Sequence, residues 1–204
     1  SLDSEIRQKF SNVNTCPISR DRIFFENAGG ALTLKSALET TTKFASIPDN
    51  QGRDNAASKT LNDVIKNAKR DLSALFNTQS GEFFMGESGT ELLFRLIRNA
   101  VVASPSGGSV VGTSLEHPAS RSAAKKWSNE MDYTYLSVPH SVETGTVDPR
   151  NYADKISDTT RVVTIVHASP VTGMGTKIKE ITKILAPNAS IAGIFVGKRK
   201  ELQI

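Results

Sequence analysis

Short apolar runs alternate along this chain with longer segments in which apolar residues recur at helical spacing. The short continuous runs are typical of strands buried on both faces, and they predict strands at 22–25, 82–85, 110–111, 133–136, 161–168 and 191–196. The periodic segments predict helices at 2–10, 34–44, 58–76, 89–102, 118–127, 152–156 and 176–185. Ser58 is predicted to cap the longest helix and Asn77 to end it. Strands alternating with helices predict an α/β fold, a mostly parallel sheet with helices on both faces.

Three segments follow predicted strands directly and carry small or polar residues. They are the turn 86–90, His117 and the turn 169–172. In open parallel sheets, ligands bind outside the carboxyl ends of the strands. We therefore expect these three segments to meet at one edge of the sheet.

The turn Gly86-Glu87-Ser88-Gly89-Thr90-Glu91 opens the predicted helix 89–102. The first N–H groups of a helix lack partners, and together with the helix dipole they form an anion site suited to phosphate. Thr90 adds a hydroxyl in the first turn. Ser88 or Thr90 can equally act as a plain helix cap, and the local sequence leaves both interpretations open.

Composition narrows the class of protein without naming a function. The 204 residues are 38% hydrophobic and 23% charged with net charge +4, as expected for a globular domain. Lys and Arg are spread along helices apart from Lys198-Arg199-Lys200, so nucleic-acid binding through that short cluster is only a third hypothesis. Cys16 is the single cysteine, which excludes a disulfide within the chain. The sequence shows neither a membrane-spanning stretch nor a signal peptide, and we expect a cytoplasmic location.

Histidines supply the candidate chemistry. His117, between a strand and Pro118, is either a capping residue or a ring that stacks on a ligand or transfers a proton. His167 lies within an apolar strand and is predicted to belong to the core, and His140 in a polar loop is given no role. With no carboxylate at ligand spacing, no metal site is predicted. The chain also lacks the Gly-x-Ser-x-Gly elbow of hydrolases and the Gly-Lys-Ser/Thr ending of nucleotide P-loops.

Four segments occur in a recognisable order: 24–30 (FFENAGG), 87–91 (ESGTE), 113–117 (TSLEH) and 167–174 (HASPVTGM). Together they resemble the class V aminotransferases, the pyridoxal-phosphate (PLP) group that includes the cysteine desulfurases. The resemblance covers roughly Arg22–Pro187. It implies a partial large domain of the fold-type-I PLP-dependent transferases, which is only the first half of a family member.

The resemblance also implies site residues. Gly89 and Thr90 would bind the cofactor phosphate, and His117 would stack over the pyridine ring and tune its electronics. The residues implied beside an amino-acid substrate are Asn27, Ala28 and Gly29. Family members are usually dimers, which implies a homodimer or association with a full-length relative, with no nucleic acid or membrane as partner.

Three departures from the family pattern concern the chemistry. Pro170 stands where the family often has an Asn that bonds the cofactor's phenolic oxygen, and Ser169 is the candidate substitute. No residue matches the Asp that pairs with the pyridinium nitrogen, since after Glu180 the only acidic residue is Glu201. Lys198 comes too early to match the lysine that holds the cofactor. We therefore assign no catalytic residue and expect no covalent attachment through a family-matching lysine.

These observations lead to a predicted organisation in three parts. Residues 1–30 form an N-terminal segment and substrate-side loop, 31–189 a partial PLP-binding large domain, and 190–204 a divergent C-terminal tail. The leading hypothesis is a truncated or mis-spliced PLP-dependent transferase or lyase that is catalytically incomplete. The alternative is a non-catalytic remnant or regulator that binds a phosphate compound or a full-length relative.

Overall fold

The computed structural model describes residues 1–27, 29–48 and 52–187, and the backbone of 192–196. Contacts divide the chain into two compact units, Ser1–Leu72 and Ser73–Ile204. Among the residues described, none of the helices combines the length and apolar character needed to cross a bilayer.

The first unit consists of helices and one small hairpin. Its elements are α1 (Leu2–Gln8), β1 (Thr15–Cys16), β2 (Arg20–Asp21), α2 (Lys35–Ala45) and most of α3 (Ala56–Phe76). The side chain of Asn55 accepts a hydrogen bond from the Ser58 N–H at 2.9 Å, so Asn55 caps α3. The prediction that Ser58 is the cap is wrong by three residues, because Ser58 lies inside the first helical turn and is buried.

The second unit is built on a four-stranded sheet. Its elements are α4 (Gly89–Ala103), β3 (Ser109–Thr113), α5 (Pro118–Glu130), β4 (Thr134–Val138), α6 (Arg150–Ala153), β5 (Thr160–Val166), α7 (Ile178–Leu185) and β6 (Ala192–Val196). The strand order is β4-β3-β5-β6, and every neighbouring pair is parallel. The predicted α/β class and parallel sheet are confirmed.

Two apolar clusters cover the two faces of this sheet. Because successive strand residues point to opposite faces, Val110 of β3 packs in one cluster and Val111 in the other. The Val110 cluster includes Ile97 of α4 and Ala123 of α5. The Val111 cluster includes Ile181 of α7, together with residues of α6 and β5. Helices therefore lie on both faces, as the apolar runs predict.

Two predicted strands are not strands in the structure. Segments 22–25 and 82–85 have irregular backbone, and the side chain of Phe84 is 83% exposed. A strand is stable only when a neighbouring strand accepts and donates its backbone hydrogen bonds. No described strand pairs with either segment, so an apolar run alone does not make them strands.

The packing of α4 on the sheet gives a stability prediction. Ile97 is fully buried, whereas its neighbour Leu96 is 53% exposed. We expect Ile97→Ala to lower the free energy of unfolding by about 2–4 kcal/mol, since it removes transfer energy and leaves a cavity. Leu96→Ala, the matched control on the same helix, should cost less than about 1 kcal/mol. Urea denaturation of both variants checks this, and equal losses would contradict the assigned packing.

Candidate functional site

The beginnings of α4 and α5 lie at the same edge of the sheet. A short turn, 104–108, joins the end of α4 to the start of β3, so α4 ends at the amino edge and begins at the carboxyl edge. Another short turn, 114–117, joins the end of β3 to the start of α5. Both helices pack in the same apolar cluster. The carboxyl edge therefore contains both His117 and the turn that precedes Gly89.

This edge also contains the point where the chain changes direction across the sheet. From β3 the chain passes through α5 to β4 on one side, and from the adjacent β5 it passes through α7 to β6 on the other. The helices α5 and α7 lie on opposite faces. Neighbouring strands with such diverging connections leave a crevice at their carboxyl ends, where ligands bind in α/β sheets.

The first turn of α4 presents open N–H groups. Ser88 caps the helix, since its side-chain oxygen accepts a hydrogen bond from the Glu91 N–H at 3.2 Å. Gly89 and Thr90 are exposed, and their N–H groups have no acceptor within the described part of the chain. The capping role thus belongs to Ser88, which leaves the N–H groups of Gly89 and Thr90 for a ligand at the positive end of the helix dipole.

The glycines of this turn have different surroundings. A Cβ atom at Gly86 would come within 3.0 Å of the Glu91 carboxylate and the Leu92 side chain, so a larger residue here would displace those two side chains. A Cβ at Gly89 would meet no heavy atom within 4 Å. The Glu91 carboxylate pairs with Arg95 at 3.0 Å. The open space at Gly89 and the N–H donors beside it fit a phosphate group.

His117 holds its imidazole ring in a defined orientation. It is the N-cap of α5, and its Nδ1 accepts a hydrogen bond from the Ala119 N–H at 3.1 Å. Since Nδ1 is an acceptor, the neutral ring carries its proton on Nε2. The ring is exposed. The capping role is confirmed, and the same bond fixes a ring that is available to a ligand at the sheet edge.

The turn after β5 is stabilised by its own serine. Ser169 is 3% exposed, and its Oγ accepts hydrogen bonds from the N–H groups of Val171 and Thr172, both at 3.2 Å. Only its hydroxyl proton is left to donate to a ligand. His167, just before this turn, is buried, which confirms its predicted place in the core.

Glu116 is a buried polar residue that the sequence patterns did not single out. Its side chain is 2% exposed and accepts three hydrogen bonds, from the Ser120 hydroxyl at 2.9 Å, the Val166 N–H at 2.8 Å and the Thr113 hydroxyl at 3.3 Å. Burial raises the pKa of its carboxyl, while the three hydrogen bonds act in the opposite direction. The feature of the sequence that could have identified Glu116 is a pair of hydroxyl residues near a strand end, three positions before it and four positions after it.

A second polar link joins the ends of β3 and β4. Ser114 Oγ lies 2.7 Å from His140 Nδ1 and accepts a hydrogen bond from the His140 N–H at 3.0 Å. His140, which the sequence patterns gave no role, therefore connects two loops of the carboxyl edge.

His140 also lines a cleft of about 600 Å³. Its charged side chains are paired with each other, Arg150 with Asp148 at 2.6 Å and Lys177 with Glu180 at 3.7 Å. The hydrogen bonds from Arg150 lower the pKa of Asp148 to about 2. Because these charges satisfy one another, the cleft is not the site that we assign. In the described residues, no three His, Cys, Asp or Glu side chains group together as metal ligands.

The predicted substrate-side residues belong to the first unit. The N–H groups of Gly29 and Gly30 both donate to the carbonyl oxygen of Glu26, at 3.0 and 3.1 Å, and close a tight turn. Asn27 is exposed in this turn. Ala28 and the basic cluster 198–200 lie outside the described residues.

A comparison with protein families identifies the class. The family model "Aminotransferase class-V" matches residues 23–193. The chain belongs to this family.

Sequence comparison finds cysteine desulfurases among its relatives. The cysteine desulfurase of Nostoc sp. strain PCC 7120 is 29% identical over 132 residues, which cover 64% of this chain and 32% of that protein. The cysteine desulfurase-like protein ustD of Aspergillus flavus is 29% identical over 168 residues, 79% of this chain and 38% of that protein. The chain thus spans about a third of the length of these curated relatives.

Solved structures share the fold. The apo cysteine desulfurase from Thermococcus onnurineus NA1 has a TM-score of 0.79 at 16% identity, and the match covers 94% of this chain and 46% of that one. A C-DES mutant with glycine covalently linked to its PLP cofactor has a TM-score of 0.73 at 18% identity, with 94% and 49% coverage. The matched part is slightly less than half of each structure, and it has the fold of fold-type-I PLP-dependent enzymes.

The buried carboxyl of Glu116 predicts a pH-dependent stability. A carboxyl with a raised pKa in the folded state contributes stability at low pH, and this contribution is lost as pH rises from the ordinary carboxyl range through the folded pKa. Glu116→Gln removes this titrating group. The free energy of unfolding of the variant minus that of the unmodified chain should therefore increase as the pH rises through this range. Ser120→Ala removes a hydrogen bond that favours the charged form, so it should raise the folded pKa further and extend the decline in stability to higher pH. Denaturation measured across this pH range checks both, and a constant difference would contradict the assignment.

Proposed function

We propose that the carboxyl edge of the second unit binds pyridoxal 5′-phosphate, with its phosphate on the first turn of α4 and its ring against His117. The observation that carries this proposal is the pair of open N–H groups at Gly89 and Thr90, at the same sheet edge as the fixed imidazole. Membership of the class V family supports it. The match to C-DES, whose structure contains PLP, also supports it.

The donor set suits a phosphate dianion. Two backbone N–H groups and the Thr90 hydroxyl can donate to its oxygens, and the helix dipole favours the negative charge by about 1 kcal/mol. The negative charge of Glu91, in the same turn, would repel the phosphate. Its pairing with Arg95 weakens this repulsion.

Bound PLP would supply an electron-withdrawing ring for reactions of amino acids. In this proposal the chain's own residues bind and orient it: Gly89 and Thr90 hold the phosphate, and His117 holds the ring. Asn27 and Gly29, in the first unit, are candidate substrate-side residues by family resemblance alone. The 204 residues contain no match for the family's Asp at the ring nitrogen or its cofactor-bearing lysine. For this polypeptide by itself we therefore propose reversible binding without turnover.

The phosphate contact is tested with a ligand that cannot react with lysines. Pyridoxamine 5′-phosphate should bind the 204-residue chain, inorganic phosphate should compete, and pyridoxamine without the phosphate should not bind. Thr90→Val should weaken binding by about tenfold, the value of one hydrogen bond to a charged group. Thr42→Val, an exposed threonine of α2, is the control and should leave binding unchanged. Equilibrium dialysis gives the dissociation constants.

The ring contact is tested in the same titration with His117→Asn. Asparagine is a good N-cap, so stability should stay within about 0.5 kcal/mol. Loss of the stacked ring should weaken binding by about fivefold. Unchanged affinity in both this variant and Thr90→Val would refute the site. With PLP itself, borohydride reduction should leave no stoichiometric adduct at a single lysine; such an adduct would refute the reversible-binding proposal.

We also propose that a second chain, another copy or a longer relative, covers exposed apolar surface of the second unit. Phe84 and Met85 are exposed side by side in a segment that pairs with none of the described strands. Sedimentation equilibrium should show self-association at micromolar concentration, reduced by Phe84→Glu. Val142→Glu is the control, because Val142 is an exposed loop residue outside this segment. A monomer at all concentrations would rule out the homodimer.

A further inference from the structure

We propose that Glu116 is a positioning residue for His117: its buried carboxylate fixes the turn that presents the imidazole at the sheet edge. This inference rests on the proposed function of that edge, because it explains how the ring against the cofactor is held.

The carboxylate joins three elements at one point. Oε1 accepts from the Val166 N–H, at the last residue of β5, and from the Thr113 hydroxyl, at the last residue of β3. Oε2 accepts from the hydroxyl of Ser120, in the first turn of α5. One side chain therefore fixes the distance between both strand ends and the helix that begins at Pro118.

The two strands need such a link at this edge. The paired residues of β3 and β5 run from Ser109↔Thr160 to Val111↔Val163. The Val166 N–H therefore lies beyond the part of β5 that pairs with β3. A buried N–H without an acceptor costs about 1–3 kcal/mol. Glu116 supplies the acceptor at the carboxyl edge, beyond the last paired residues of the two strands.

The same link determines where His117 is placed. His117 lies between Glu116, whose side chain is anchored, and Pro118, the first residue of α5. From its own side His117 bonds the Ala119 N–H, one residue before the Ser120 hydroxyl that Glu116 holds. The first turn of α5 is thus held by hydrogen bonds to both Glu116 and His117. The ring keeps Nδ1 toward the helix and Nε2 away from it.

A carboxylate is a costly way to provide packing alone. Burying a charge carries a desolvation penalty that an apolar side chain avoids, and burial raises the pKa of this carboxyl. What the carboxylate offers is two oxygens in one plane that accept from three directions. Glutamine can keep this geometry, because its amide nitrogen can donate to the Ser120 oxygen while its carbonyl accepts from Val166 and Thr113.

The test compares variants of the 204-residue chain by the ¹⁵N shifts of the His117 imidazole, which report its tautomer. The unmodified chain should show the Nε2–H form. Glu116→Ala should give a mixture of both tautomers and weaken pyridoxamine 5′-phosphate binding by about fivefold, the loss of one ring contact. Glu116→Gln should restore both readouts.

A matched control breaks a link between the same strands at the opposite edge. Thr160 Oγ1 lies 3.0 Å from Ser109 Oγ and also accepts a backbone N–H, that of Ser157. Thr160→Val should destabilise the chain yet leave the His117 tautomer and the ligand affinity unchanged. Ser120→Ala removes one of the three Glu116 bonds and should shift the tautomer partly, which keeps the test available if Glu116→Ala does not fold.

Two results would overturn the inference. One is an unchanged His117 tautomer in both Glu116→Ala and Ser120→Ala, and the other is an equal shift in Thr160→Val. Failure of the proposed function gives a different pattern: the tautomer shifts as expected, but no form of the chain binds pyridoxamine 5′-phosphate. In that case Glu116 still positions His117, and the ligand assignment is wrong.

Discussion

The parallel pairing of β3 with β5 is the interaction on which the second unit depends. Both strands are buried on both faces, so each contributes to both apolar clusters. Helices α4 and α5 are held by one cluster and α6 and α7 by the other. Parallel strands need crossover connections, and with β4 beside β3 and β6 beside β5 the chain leaves the two central strands in opposite directions. The crevice at their carboxyl ends is a direct consequence.

Polar groups at the end of a buried sheet must find partners away from water. At this edge, side chains of the loops form the hydrogen bonds that these polar groups need. Ser114 pairs with His140, Ser169 holds its own turn, and Glu116 joins β3, β5 and α5. The Ser114 and Glu116 links connect separate elements around His117, and a ring positioned in this way loses little freedom when a flat ligand stacks on it.

In the proposed function, cofactor binding and catalysis depend on different residues of a class V chain. The matched region, 23–193, includes the first turn of α4 and His117, which are suited to hold a phosphate and a ring. The residues that the family uses to activate the cofactor have no match in the 204 residues. The proposed binding elements are the N-terminal ends of two helices and a strand-end turn, which depend on the local fold. This separation is the basis of the proposal that the 204-residue chain binds the cofactor without turnover.

Local patterns in the sequence determined most of the regular structure. Apolar residues at helical spacing identified α1 to α5 and α7 within a few residues, and the Val/Ile-rich run 161–168 identified β5. These predictions succeed because periodicity reports which face of an element is buried. The small-residue turn before α4 and the Pro after His117 also marked two helix starts, since capping depends on a few neighbouring residues.

The tertiary structure alone decided the rest. Segment 82–85 has the composition of a strand, but no described strand forms a ladder with it, and strand formation requires a neighbouring strand that no local pattern reveals. The choice of Ser88 as cap, which leaves Gly89 and Thr90 open, depends on the geometry of one turn. Glu116 became significant only when β5 brought the Val166 N–H to it, fifty residues along the chain. Sequence determines which residues can be buried or can bond, and folding determines which of them meet, because those contacts join residues far apart in the chain.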